Sequence, residues 1–68
     1  VSLLEGGVPR IAKKVGEEAV EVVVAATAED DARLASETAD LLYHLLVLLT
    51  ARGLAPEAVL DELKTRLR

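Results

Sequence analysis

Apolar positions recur along this chain at helical spacing and almost nowhere at the alternating spacing of a strand. Ile11, Val15, Ala19, Val22 and Ala26 follow one another at intervals of three and four, which predicts one apolar stripe on a first helix. Gly6-Gly7 breaks the chain ahead of it, and Pro9 suits its first turn, where a missing N–H is no loss. This helix should end near Ala28. Glu29-Asp30-Asp31 then offers a cap, and negative charge for the positive end of a second helix. That helix should run to about Arg52 and stop at Gly53, a usual residue just past a helix end. A third should start at Pro56, with Val59, Leu60, Leu63 and Leu67 as its inner stripe and Lys64, Arg66 and Arg68 at its negative end. The turns are short, which favours antiparallel neighbours.

One stretch breaks the amphipathic rule. Leu41-Leu42-Tyr43-His44-Leu45-Leu46-Val47-Leu48-Leu49 is apolar almost all round, so it must be buried on most sides. Two other short helices of one chain are too few for that. The expected architecture is therefore an all-α antiparallel helical bundle completed by dimerisation, a homodimer or higher homo-oligomer. Composition points the same way. With 68 residues the chain makes one small domain, 1–68, and a chain of this size folded alone buries only about 60% of its unfolded surface. Cysteine is absent and there is one histidine, which excludes disulfides, cysteine-based zinc and any multi-histidine metal site. Aromatics are 1% against 51% hydrophobic residues, so Leu, Val and Ala must build the core.

Charge brings in the chemistry. The net charge of −4 disfavours a nucleic-acid binder, whose footprint is a basic face. The apolar run is far shorter than the roughly 20 residues that span a bilayer, so no membrane partner is expected and a cytoplasmic location is the default. Eight acids lie between Glu17 and Asp40 with one base, Arg33; just before them stand Arg10, Lys13 and Lys14. A basic turn followed by an acidic zone is what a polyphosphate and its magnesium need. Glu17, Glu18 and Glu21 fall within about a 100° arc of the first helix. Glu37 and Asp40, three apart, share a face of the second. Glu21 and Glu37 are equally far from the intervening turn, so an antiparallel hairpin brings the two acidic groups to one height.

Glu-Glu-x-x-Glu alone is most often a solvated helix face. Glu-x-x-Asp at matched height, directly before an apolar run, changes that reading, because converging carboxylates without matching cations repel. A hard divalent cation such as Mg²⁺, which takes oxygen ligands, resolves the repulsion. Three side chains keep two readings open. Lys14 forms an ordinary helix ion pair with Glu17 or Glu18, or holds a phosphate at the rim. Gly16, about 1 kcal/mol worse than Ala in a helix, marks a close approach or is a tolerated defect. His44 is more often a packed, hydrogen-bonded helix residue than a catalyst.

The stretch Lys13-Lys14-Val15-Gly16-Glu17-Glu18-Ala19-Val20-Glu21, followed by Glu37-Thr38-Ala39-Asp40-Leu41-Leu42-Tyr43-His44-Leu45-Leu46, resembles phosphoribosyl-ATP pyrophosphatases. These belong to the all-α nucleoside triphosphate pyrophosphatase superfamily. The acidic pattern is common to the superfamily, while Lys-Lys-Val-Gly and Ala-Asp-Leu-Leu-Tyr-His-Leu-Leu are much more specific to this family. The similarity runs from about Leu3 to the C-terminus. The resemblance implies Mg²⁺-dependent hydrolysis of phosphoribosyl-ATP to phosphoribosyl-AMP and pyrophosphate, the second step of histidine biosynthesis. It implies that Glu18, Glu21, Glu37 and Asp40 are metal ligands and that Glu17 is a further ligand or the base for the attacking water. Lys14, Lys13 and Arg10 would hold substrate phosphates. The family carries a further N-terminal helix and loop, and this chain, which starts at Val1 rather than Met, is expected to lack that segment. The alternatives are a house-cleaning pyrophosphatase acting on non-standard triphosphates, and a non-catalytic helical dimerisation module whose acids only keep it soluble.

Overall fold

The computed structural model describes residues 7–67, and these form three α-helices with no strand among them. Helix α1 spans Gly7–Ala28, α2 spans Asp31–Ala51 and α3 spans Pro56–Arg66. The expected bounds hold to within about two residues, because each is written in local chemistry. Gly7 enters α1 at φ 72°, a left-handed conformation that side-chain-bearing residues rarely adopt, and Pro9 lies in the first turn. Asp30 caps α2, its carboxylate accepting the Arg33 N–H at 2.9 Å, and Asp31 adds charge in the first turn. At the other end Gly53, φ 70°, donates to the Thr50 carbonyl at 3.0 Å, and Leu54 to the Leu49 carbonyl at 2.9 Å. Together these two bonds close α2 as a Schellman motif. Pro56 opens α3, whose preceding residue, Ala55, provides no side-chain cap. Gly6 and Arg68, which entered the reading of the first and last helix ends, lie outside the described residues.

Helices α1 and α2, separated only by Glu29 and Asp30, pack as an antiparallel hairpin. Ile11 and Ala25 are buried on the inner side of α1, with Val15, Ala19 and Val22 half-buried between them. The stripe therefore ends at Ala25; Ala26, assigned to it by spacing, is exposed. At 100° per residue the stripe drifts along a straight helix, and by the last turn the inward position has moved back one residue. Among the described residues nothing lies within 4 Å of where a Cβ on Gly16 would sit, so no close approach by them explains that glycine.

Helix α3 departs from the expected bundle. Its stripe residues Val59, Leu60, Leu63 and Leu67 are exposed, and it packs on neither other helix to any extent comparable with the hairpin. Its exposed ion pairs, Asp61 with Lys64 and Glu62 with Arg66, are each worth a few tenths of a kcal/mol at most. An 11-residue helix is marginal in water without a packing partner. The molecule is correspondingly thin, 40 × 35 × 15 Å, little more than one helix diameter deep.

Helix α2 has 21 residues and a stretch of mean hydropathy 1.2, so by length and composition alone it is able to cross a membrane. The run Leu41–Leu49 by itself is shorter than a span, as expected; the whole helix is not. Glu37 and Asp40 nonetheless lie within it, and an ionised carboxylate deep in hydrocarbon is costly.

Candidate metal centre

The hairpin sets two acidic faces opposite each other. From α1 comes Glu18, its side chain 12% exposed; from α2 come Glu37, the one buried charged residue among those described, and the exposed Asp40. One carboxylate oxygen from each lies within 4.8 Å of the other two. Three hard oxygen donors this close, from two helices, suit a divalent cation of the magnesium type, and the carboxylates repel one another without one. The donor set fits the ion that the sequence pattern suggested.

The remaining candidates stand around this triad. Glu21 is not in the close group, yet its charge reaches Glu37. Glu17 lies outside the close group, at its rim: its side chain is 55% exposed and its carboxylate is 3.9 Å from the Lys14 ammonium. Lys14 also lies 3.4 Å from Glu18, so it pairs with two of the acids at the rim. Both readings of Lys14 survive, since a rim ion pair and a phosphate contact use the same position. Arg10 and Lys13 are exposed on α1 and make no ion pair among the described residues.

Glu37 experiences the site most sharply. Burial raises its pKa above the ordinary carboxylate value, Arg33 opposes that shift, and the charges of Glu21, Asp40 and Glu18 add to it. Arg33 was not singled out among the candidates, although the signal was present in its position one helical turn before Glu37. Its Nη2 donates to Glu37 Oε2 at 2.6 Å, and its Nε lies 3.7 Å from Glu29 Oε1. His44 takes the bland role: its Nδ1 lies 2.7 Å from the Asp40 carbonyl oxygen, and its ring meets Tyr43 edge-on at 5.1 Å. A carbonyl only accepts, so the proton is on Nδ1. The bond ties His44 to the backbone that carries Asp40.

Similarity to known proteins converges on one family. A family profile described as phosphoribosyl-ATP pyrophosphohydrolase matches residues 2–67. A phosphoribosyl-ATP pyrophosphatase from Sulfurisphaera tokodaii is 56% identical over 68 residues, covering 100% of this chain and 72% of its own length. One from Pyrobaculum arsenaticum is 61% identical over 64 residues, 94% of this chain and 68% of the relative. A histidine biosynthesis bifunctional protein from Vibrio cholerae is 58% identical over 65 residues, 96% of this chain but 31% of that longer protein. A profile matched across residues 2–67, together with relatives above half identity, shows that the chain belongs to the phosphoribosyl-ATP pyrophosphohydrolase family.

Proposed function

We propose that this chain hydrolyses phosphoribosyl-ATP to phosphoribosyl-AMP and pyrophosphate in histidine biosynthesis, using Mg²⁺ held by Glu18, Glu37 and Asp40 with Glu21 beside them. The observation that carries the reading is the meeting of three carboxylate oxygens within 4.8 Å across the hairpin, in a chain of this family. When bound, Mg²⁺ neutralises charge on the phosphate oxygens. The chain's own residues do the rest. Lys14, with Lys13 next to it and Arg10 about one turn nearer the start of α1, holds phosphate groups at the rim and orients the anhydride bond. Glu17, half-exposed at that rim, accepts the proton of the attacking water as the bond to pyrophosphate breaks, or serves as a further ligand. Phosphoryl transfer requires little from a protein beyond such positioning and charge.

The reading includes a cytoplasmic location and a second copy of the chain packed against the exposed apolar faces. Val20 and Val23 on α1, Leu42 and Leu46 on α2, and Leu60 and Leu63 on α3 are more exposed than a finished core allows.

The deciding experiment is pyrophosphate release from phosphoribosyl-ATP by the full chain, with and without Mg²⁺, and with ordinary and modified nucleoside triphosphates beside it. Rapid, metal-dependent release from phosphoribosyl-ATP alone is expected, and Asp40→Asn should remove most of it while the assembly survives. Release from the other triphosphates instead would move the chain to the house-cleaning branch. No release from any of them would reduce it to a helical dimerisation module.

A further inference from the structure

The proposed metal centre already contains a positive charge of its own. Arg33 is the one basic residue in α2, and its guanidinium sits 2.6 Å from Glu37 Oε2. The two ends of that contact differ: the Arg33 side chain is 53% exposed, the Glu37 side chain 10%. A surface arginine thus reaches down to a carboxylate that is buried and faces other acids. Three features hold it there. The Arg33 backbone N–H is committed to the Asp30 cap, which fixes the start of the side chain. Glu29 steadies the guanidinium from the solvent side at 3.7 Å. The spacing of four along a helix places the fork over Glu37 without strain.

Glu37 is also one of the three residues whose oxygens converge. A divalent cation and the Arg33 guanidinium therefore draw on the same carboxylate. We propose that Arg33 is a tethered counter-ion of the metal centre. It keeps Glu37 aimed and compensated while no divalent cation is bound, and its hold on Glu37 weakens when one arrives. The inference rests on the metal-centre reading above. It makes Arg33 a positioning residue with two opposed effects: it stabilises the metal-free fold and lowers affinity for the metal. A plain helix ion pair would produce the first effect without the second. Lys14, at 3.4 Å from Glu18 and 3.9 Å from Glu17, divides its charge between two acids and is held less closely to either.

The test is calorimetric titration of Mn²⁺ into the full chain and its Arg33→Gln variant, with thermal melts in chelator and in Mn²⁺. In chelator the variant should melt below wild type. In the titration it should bind Mn²⁺ more tightly, on the order of tenfold, since a like charge next to a ligand has been removed. The Mn²⁺-induced rise in melting temperature should grow accordingly. Arg33→Lys, which retains the charge without the planar fork, should fall between the two and serves if the glutamine variant does not fold. Unchanged or weaker Mn²⁺ binding by the variants, with wild type binding normally, would overturn the counter-ion role alone. No Mn²⁺ binding by wild type or variants would overturn the metal centre, and the inference with it.

Discussion

Glu37 meets conflicting demands. It is buried, which disfavours its charge; it faces Glu21, Asp40 and Glu18, which disfavour it further; and Arg33 alone favours it. The net result is a pKa raised in the folded chain above the ordinary value of 4.5. A carboxyl raised on folding stabilises the fold below its unfolded pKa, and that contribution is lost as pH rises through the folded value. In chelating buffer, wild type should therefore lose stability relative to Glu37→Gln as pH climbs from below 4.5 to neutrality. Thermal melts of both proteins across that range check the sign. A gap independent of pH would mean that Arg33 fully compensates the buried charge.

At the scale of the helices, the hairpin sets the register that the site depends on. Glu18 and Glu37 meet because α1 and α2 are joined by only two residues, Glu29 and Asp30, and Asp30 fixes where α2 begins. Its carboxylate satisfies the Arg33 N–H, one of the donors that a helix start leaves unpaired. Asp30→Ala should cost about 1 kcal/mol, a drop of roughly 4–8 °C in melting temperature for a domain of this size. Circular dichroism melts read it directly. Asp30→Asn retains an acceptor oxygen at the cap and should recover most of the loss.

At the scale of the whole molecule, the three helices form a thin layer rather than a rounded core. Its radius of gyration is 13.5 Å, where a compact chain of this length gives about 11 Å. Ile11 and Ala25 are the apolar residues buried among those described, while large side chains on all three helices stand in the open. A second copy laid against these faces would thicken the core and give α3 the partner that its 11 residues need. Leu46 is about half exposed in the single chain, so Leu46→Asp should leave the hairpin folded and weaken association. Light scattering at micromolar concentration should show a shift toward monomer mass. A wild-type chain already at monomer mass would count against the second copy, and an oligomer unchanged by the substitution would count against this face as the interface.

Residues close together along the chain settle the secondary structure. Asp30, Gly53 and Pro56 end or start helices through bonds and torsions that span at most five residues, so their effect is legible in sequence. So is the presence of two acidic faces, because helical periodicity alone puts Glu18 with Glu21 and Glu37 with Asp40. Which of these acids meet was not legible. Neighbouring side chains on a helix diverge by 100°, so the rotation of α1 and α2 about their axes decides that Glu18 joins Glu37 and Asp40 while Glu17 turns outward. That rotation follows from burying Ile11 and Ala25, a contact between segments far apart in the chain. Tertiary structure likewise decided that Arg33 compensates a buried acid rather than a solvated one, since its spacing from Glu37 is the same in either case. It decided, too, that α3 gains little cover from the hairpin among the described residues. An apolar stripe states that a face must be buried; only the packed structure states against what.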